Sequence, residues 1–399
     1  MPLQALPCRA FQCCFALGAR LLPWRAPVLL SGADSLAQIP DLLSRESASR
    51  PLVVASRRQC AEEHFLTLRR SLEARGVRLS VFSDTEPDPC VATVEKIAAQ
   101  YRTDGCDSFL AIGGGSPIDA AKVAAARIVR PEKTVAQLGG LSKVRRPLPL
   151  FIAVPTTAGT GSEATIAAVV TDAEHHKYAV SDLCLVPRYA VLDPTLTVSL
   201  PPAVTAQTGM DALTHAVEAY LSRSYGTAET RALAESAVRD IFRYLEVAYR
   251  DGSSLTAREK LLRASFDAGR AFTRASVGNV HAIAHTLGGL YGISHGLACA
   301  VTLPFVLEDY GAAVFPQLAR LASLVGLSGT ERERAAGFIA AIRGMNERMG
   351  IPAHFDFIRT EDLSRMVAWA KAEANPVYPV PVVYDAARFR RVLERLRGA

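Results

Sequence analysis

The chain reads as an α/β protein followed by an all-helical one, and three observations predict this. Its 399 residues exceed what one compact core usually organises. Up to about residue 200, short β-rich runs alternate with helical ones. Beyond that point the strand signals nearly vanish. The expectation is a mainly parallel sheet with helices over residues 1–199, and an all-helical unit over residues 200–399.

The strands are read from apolar, β-branched stretches bounded by turn residues: APVLLSG, PLVVAS, VRLSVFS, DSFLAIGG and LPLFIAVPTT. Between them SLAQIPDLLSR, the stretch from Cys60 to Arg75, and VATVEKIAAQYR carry apolar residues at helical spacing. After Asp193-Pro194 and the turn-like SLPPAV, helices are predicted in ALTHAVEAYLS, AESAVRDIFRYLEVAYR, AREKLLRASFDAGRAF, FPQLARLASLVG, ERAAGFIAAIRGMNERMG and AARFRRVLERLRG. NPVYPVPVVYD, before the last of these, is punctuated by proline and reads as extended.

Composition narrows the function classes. Hydrophobic residues make up 49% and charged residues 21%, enough to bury two cores. The net charge of +6 is spread without long blocks, which speaks for solubility and against nucleic-acid binding. Eight scattered cysteines contain no C-x-x-C pair, so reduced thiols in a cytoplasmic enzyme are expected. FQCCFALGA near the amino end is short, and charge follows at Arg20 and Arg25 with no small-residue cleavage site before it. No apolar stretch reads as reaching the length of a membrane span, about 18 residues or more.

Five residues carry metal-ligand chemistry. Asp211 and His215 stand four apart in GMDALTHAVEAY; His281 and His285 repeat that spacing in NVHAIAHTLGGLYGISHG, where His295 follows. Helical residues four apart share a face, roughly 5–6 Å between Cβ atoms. That suits ligand bonds of about 2.0–2.2 Å to one divalent ion. On spacing alone all five are candidates.

Two loops suggest a nucleotide. DSFLAIGGGSPIDAAKVAAARI runs from a strand through Gly113, Gly114 and Gly115 to Ser116 and Pro117, then a helix. Glycine permits close backbone approach, proline suits the first helical turn, and the free amides there favour an anion. Asp119 in that first turn reads equally as a helix cap. VPTTAGTGSEAT places Thr156, Thr157, Thr160, Ser162 and Thr165 beyond a strand's carboxyl end, where open α/β sheets bind ligands. An ordinary strand-to-helix turn and a polar loop remain the alternatives. Both loops together with the metal cluster suggest a nucleotide held beside a metal.

GGGSPIDAAK, VPTTAGTGSEAT, GMDALTHAVEAY and the H-x3-H-x9-H of HAIAHTLGGLYGISH resemble, in order and approximate spacing, the iron-containing (group III, metal-dependent) alcohol dehydrogenases, and NPVYPVPVVYD looks like that family's tail. The resemblance implies a metal, Fe(II) or Zn(II), on Asp211, His215, His281 and His295, with Gly288, Gly289 and Gly292 breaking the helix so that His295 returns. It implies His285 as a residue facing the reaction, a candidate proton relay. Gly114, Gly115, Ser116 and Asp119 would contact the pyrophosphate of a nicotinamide cofactor. Thr156, Thr157, Thr160 and Thr165 would line its path, and Lys177 would approach a ribose. Where many members carry an Asp after the first nucleotide-fold strand, this chain has Ser56, Arg57 and Arg58. A hydroxyl and guanidinium groups accept a 2′-phosphate that a carboxylate repels, so NADP(H) is expected over NAD(H). The implied activity is reversible hydride transfer between nicotinamide and a small alcohol or aldehyde, in a homodimer or larger homo-oligomer. A lyase like dehydroquinate synthase would place Glu where Asp211 stands and a Lys/Arg-rich substrate pattern around the ligands; a non-catalytic nucleotide-binding protein is the remaining alternative.

Overall fold

The computed structural model describes residues 5–173 and 177–398. They divide into two compact units. One comprises Pro23–Leu200 with Gly252–Phe266, and the other residues 5–22, Pro201–Asp251 and 267–398.

The first unit holds a six-stranded sheet, entirely parallel, in the order β1 (Val28–Ser31), β9 (Tyr189–Leu192), β6 (Leu150–Pro155), β4 (Ser108–Gly113), β2 (Pro51–Val54), β3 (Ser80–Phe82). Parallel strands need crossovers, which here are mostly helical. Helices α2 (Ile39–Arg45), α3 (Arg57–Ala61), α4 (Glu63–Ala74), α5 (Val91–Thr103), α6 (Gly115–Val129) and α7 (Val135–Leu138) fill the intervals. Side chains alternate across a strand, and the cores follow that period. Leu52, Val54, Phe109, Ala111, Phe151 and Ala153 pack on one face with residues of α5 and α6. Val53, Leu110, Ile112, Ile152 and Val154 pack on the other with residues of α2 and α4. Tyr101, Phe109 and Phe151 stack successively, with centroids 4.6 and 5.9 Å apart. A smaller sheet, β5 (Gly140–Leu141), β8 (Lys177–Ser181), β7 (Ala167–Thr171), pairs β7 antiparallel to β8.

The second unit is helical. It contains α1 (Leu6–Ala19), α8 (Pro202–Leu221), α9 (Ala228–Arg250), the later part of α10 (Leu255–Ala275), α11 (Asn279–Tyr291), α12 (His295–Tyr310), α13 (Phe315–Leu324), α14 (Glu331–Arg348), α15 (Leu363–Ala374) and α16 (Ala386–Leu396). Capping boxes at Thr227 and Thr330 start α9 and α14. The C-terminal helix is held to α12 by Asp309, which accepts from Arg388 and Arg391.

Parallel sheet followed by helices is the predicted class, and the main division falls between Leu200 and Pro201, one residue from the expected one, but two segments cross it. Helix α1 joins the helical unit because Gln12, fully buried, donates to the carbonyls of Pro376 and Tyr378. The start of α10 joins the sheet unit because Leu262 and Phe266 pack against Ala190 and Leu192. Strands β5, β8 and β9 are not among those read from the sequence. Nor is the expectation of no apolar stretch of spanning length correct. Among the described residues His295–Leu324 is long and apolar enough, yet 67% of its apolar window is buried inside the fold, and its first residue is His295.

Candidate metal centre and cofactor loops

Helix α8 opens with prolines at Pro201 and Pro202 and is buried along most of its length from Thr205 to Leu221. Asp211, His215 and Glu218 recur at intervals of four and three, so they share one face. Helix α11 runs through Gly288 and Gly289 to Tyr291; it ends at Gly292, whose φ of 65° is the left-handed stop that glycine tolerates. Three residues later His295 opens α12 and faces the same point. The expected helix break therefore falls on Gly292 alone. Gly296 permits the approach, since a Cβ there would lie 2.3 Å from the Gln207 carbonyl oxygen of α8.

Asp211, His215, His281 and His295 each offer one ligand atom, and these atoms all lie within 4.8 Å of one another. Asp211 Oδ1 is 3.9 Å from His215 Nδ1 and 3.5 Å from His295 Nε2. The donor set fits a divalent ion on its own evidence. Among the described residues Asp211 Oδ1 and His281 Nε2 are buried with no hydrogen-bond partner, a costly arrangement that a cation relieves. Burial pushes the Asp211 carboxyl up to about 7, opposed by the Cys299 thiol and by His285. Burial also lowers His281 to about 3, with His285 acting in the same sense and Glu373 against it, so the imidazole is neutral as a ligand must be.

Glu218, which sequence reasoning missed, orients His281. Its carboxylate accepts from the backbone N–H of Gly278 and Val280, each at 2.8 Å, and lies 2.6 Å from His281 Nδ1. With Nδ1 so engaged, Nε2 is the atom left for a metal. Burial pushes the Glu218 carboxyl up, opposed by hydrogen bonds from the backbone of Val280, Gly278 and His281 and by His285. The available signal was an acid three residues after His215 on a ligand-bearing face. His285 stands outside the four-residue group; its ring stacks on His295 at 5.1 Å, and its Nδ1 lies 2.7 Å from Glu373 Oε1.

In the sheet unit, β4 ends at Gly113 and α6 begins at Gly115, with Gly114 as a cap that makes no side-chain bond. The second loop crowds this start. A Cβ at Gly114 would lie 3.2 Å from Thr157 Oγ1, and one at Gly115 2.8 Å from Thr160 Cγ2. Arg58, Gly114, Thr156 and Thr157 line one pocket together with Gln59 and Glu62. Gln59, another residue not anticipated, donates to Thr156 Oγ1 at 2.8 Å. Ser116 Oγ accepts from the N–H of Asp88, whose carboxylate pairs with Lys177 Nζ at 2.7 Å, so Lys177 is drawn towards the α6 start.

Other expected cofactor residues also have partners within the unit. Asp119 does not cap α6; it accepts from Ser162 Oγ at 2.5 Å and from the N–H of Val169 at 2.9 Å. Thr165 is buried and takes a hydrogen bond from Lys122. Lys122, itself fully buried, also donates to the carbonyls of Ser162, Thr165 and Ala167 at 2.6–3.0 Å, stapling the second loop to α6. At the end of β2, Ser56 caps α3 by accepting from the N–H of Gln59. Arg57 is held by Asp84 at 2.6 Å, and Arg58 lies 3.5 Å from Glu62.

A glycine-started helix at the carboxyl end of an inner strand of a parallel sheet, with a buried carboxylate and three imidazoles gathered elsewhere, points to metal-dependent, nucleotide-linked oxidoreductases. Comparison with known proteins makes the class specific. The model of the iron-containing alcohol dehydrogenases matches residues 26–194, and that of the family's C-terminal part matches residues 205–388. The chain belongs to the iron-containing alcohol dehydrogenase family. It is 41% identical over 313 residues to a 1,3-propanediol dehydrogenase of Klebsiella pneumoniae, covering 76% of this chain and 80% of that one. It is 33% identical over 333 residues to an NAD-dependent methanol dehydrogenase of Bacillus methanolicus, covering 82% and 87%. A crystal structure of a 1,3-propanediol oxidoreductase superposes with a TM-score of 0.88 at 32% identity, covering 94% of this chain and all of the other. An alcohol dehydrogenase from Oenococcus oeni superposes at 0.89 and 31%, covering 94% and 99%.

Proposed function

We propose that this alcohol dehydrogenase interconverts short primary alcohols or diols and their aldehydes, with Asp211, His215, His281 and His295 holding Fe(II) or Zn(II). The observation that carries the reading is the pair of buried, unpartnered ligand atoms, Asp211 Oδ1 and His281 Nε2, at the centre of four converging donors. The substrate class is supported by the names of the relatives, among them 1,3-propanediol, 1-propanol and methanol dehydrogenases. Three imidazoles and a carboxylate suit both metals; zinc is intrinsically the tighter binder, so iron loading would reflect supply.

When bound, the metal supplies a Lewis acid for the alcohol or carbonyl oxygen, and the nicotinamide supplies or accepts the hydride. Glu218 keeps the His281 ring turned towards the ion. Gly114 and Gly115 leave backbone N–H groups open to the pyrophosphate, and Ser116, Thr157 and Thr160 add hydroxyls beside them. His285, its Nδ1 held by Glu373, takes or gives the substrate proton at Nε2. NADP(H) is favoured because Ser56 replaces a carboxylate and Arg58 lines the pocket of Gly114; Asp84, by holding Arg57, keeps the preference modest. Free thiols at all eight cysteines fit a reducing compartment such as the cytoplasm, and a homodimer is the simplest assembly that the family resemblance implies.

The deciding experiment assays short alcohols and aldehydes with both cofactors after loading with Fe(II) or Zn(II), beside Asp211→Ala. The variant is expected to lose metal and turnover together. Turnover retained by metal-stripped Asp211→Ala would sink the metal assignment, and light scattering checks the dimer.

A further inference from the structure

One connected set of side chains in the helical unit serves neither the metal donors nor the sheet. It ends on His285. Glu373 of α15 places one carboxylate oxygen, Oε1, 2.7 Å from His285 Nδ1, and the same atom accepts from the Tyr378 hydroxyl at 2.7 Å. Tyr378 lies on the proline-punctuated segment after α15. That segment is held carbonyl by carbonyl: Gln12 donates to Pro376 O at 3.0 Å and to Tyr378 O at 2.7 Å, and Tyr225 donates to Val377 O at 2.9 Å. Arg9 donates to Gln12 Oε1 and to Pro381 O, both at 2.8 Å, and Phe15 packs on Tyr225 with ring centroids 5.1 Å apart.

The arrangement has the form of a positioning chain. The χ2 torsion of histidine is broad, so a ring aimed at a reaction needs a partner on its far nitrogen. A carboxylate accepting from Nδ1–H fixes both the ring plane and the tautomer, leaving the Nε2 lone pair available. Glu373 is 30% exposed and would itself be mobile without a second bond, which Tyr378 supplies. Gln12, fully buried, keeps the backbone of Tyr378 from shifting. Helix α1 precedes residue 26, where the family model's match begins.

We infer that Glu373 is the positioning residue of His285, fixing its orientation and its Nδ1–H tautomer, and that Tyr378 and Gln12 of α1 hold Glu373 in place. The inference rests on the dehydrogenase reading, in which His285 faces the reaction. Glu373 touches neither ligand atoms nor substrate; it acts through the histidine.

The test uses the full chain loaded with Zn(II). Glu373→Ala is expected to lower kcat about 10- to 100-fold, by analogy with the loss of the carboxylate behind a metal-ligating histidine, while metal per chain stays at the wild-type value. Glu373→Gln retains an oxygen that both donors can reach, and is expected to stay within about 5-fold of wild type. Tyr378→Phe and Gln12→Ala should fall between these and remain informative if Glu373→Ala does not fold. The readout independent of turnover is the ¹⁵N spectrum of histidine-labelled, zinc-loaded protein, with His285 assigned by its loss in His285→Ala. Wild type should show the Nδ1–H form, and Glu373→Ala should shift His285 towards Nε2–H. An unchanged tautomer, an unchanged kcat, or a kcat that falls only in step with metal content would each overturn the inference. If wild type turned over no alcohol or aldehyde, the dehydrogenase reading would fail instead, and the spectrum would still report on Glu373.

Discussion

Gly296→Ala should cost the protein its metal before it costs the protein its fold. The added Cβ would meet the Gln207 carbonyl oxygen at 2.3 Å and its carbon at 2.8 Å, whereas ordinary contact begins near 3.4 Å. Helices α8 and α12 must therefore part by about 1 Å here, because the obstacle is backbone and cannot rotate away, at an overpacking cost of about 1–3 kcal/mol. His295 is the neighbouring residue, and Asp211 Cβ stands 3.4 Å from the same added atom. Metal–ligand distances tolerate only about 0.2 Å, so an opening of this size must be closed again for the ion to bind. At about 1.4 kcal/mol per factor of ten, the metal dissociation constant should rise roughly 5- to 150-fold. Gly209→Ala is the control. Its Cβ would approach Leu245 Cδ1 at 2.2 Å, but that is the end of a flexible side chain. The assay is Zn(II) competition against a chelator indicator, with thermal unfolding of the metal-free proteins alongside. Gly296→Ala binding zinc as tightly as wild type would refute the reasoning, as would an equal loss of affinity in Gly209→Ala.

Three further outcomes are expected. Asp84→Asn frees Arg57, and since an exposed pair is worth about 0.2–1 kcal/mol, the NADP/NAD ratio of kcat/KM should rise by up to about 5-fold; an unchanged ratio would remove Arg57 from cofactor recognition. Lys122→Met strands the buried carbonyls of Ser162 and Thr165 and the half-buried one of Ala167, so Tm should fall and NADPH binding, followed by fluorescence, should weaken at least tenfold with metal content intact; tight NADPH binding would show that the second loop does not need the staple. For Asp309, burial acts upwards, but the hydrogen bonds and charge of Arg388, with Tyr384 and Arg391, hold its carboxyl below the ordinary value. A depressed carboxylate contributes stability above its unfolded pKa and loses it as pH falls through the folded one. Chemical unfolding between pH 5 and about pH 2 should therefore show a shallower pH dependence in Asp309→Asn than in wild type; parallel curves would contradict this.

The strands with continuous apolar runs and the paired i, i+4 ligands were legible because they obey local periods. Val53 between Leu52 and Val54, or His215 one turn beyond Asp211, is visible in a window of a few residues. What was not legible depends on partners far apart in sequence. Glu373 meets His285 across 88 positions, and Gln12 meets Tyr378 across 366. Glu218 was within reach of the sequence, on the ligand face of α8, but read as an ordinary helical acid. Asp119 and Thr165 illustrate the converse. Their residue types suit a ligand-binding loop, yet Ser162, Val169 and Lys122 claim their polar atoms first. The arginines after β2 suggested a phosphate site, and only the structure shows Asp84 at the end of β3 already occupying one of them.

Helix α1 bears on how such chains are compared and trimmed. A version begun at residue 26, where the family's match starts, would retain every metal donor and both cofactor loops. The family model would still match it over the same residues. It would nevertheless lack Arg9 and Gln12, and the carbonyls of Pro376, Tyr378 and Pro381 would each lose a donor. Residues outside the span that the family model matches are thus tied, through Tyr378 and Glu373, to His285, and a fragment trimmed to that span would keep the donors while losing what braces their surroundings.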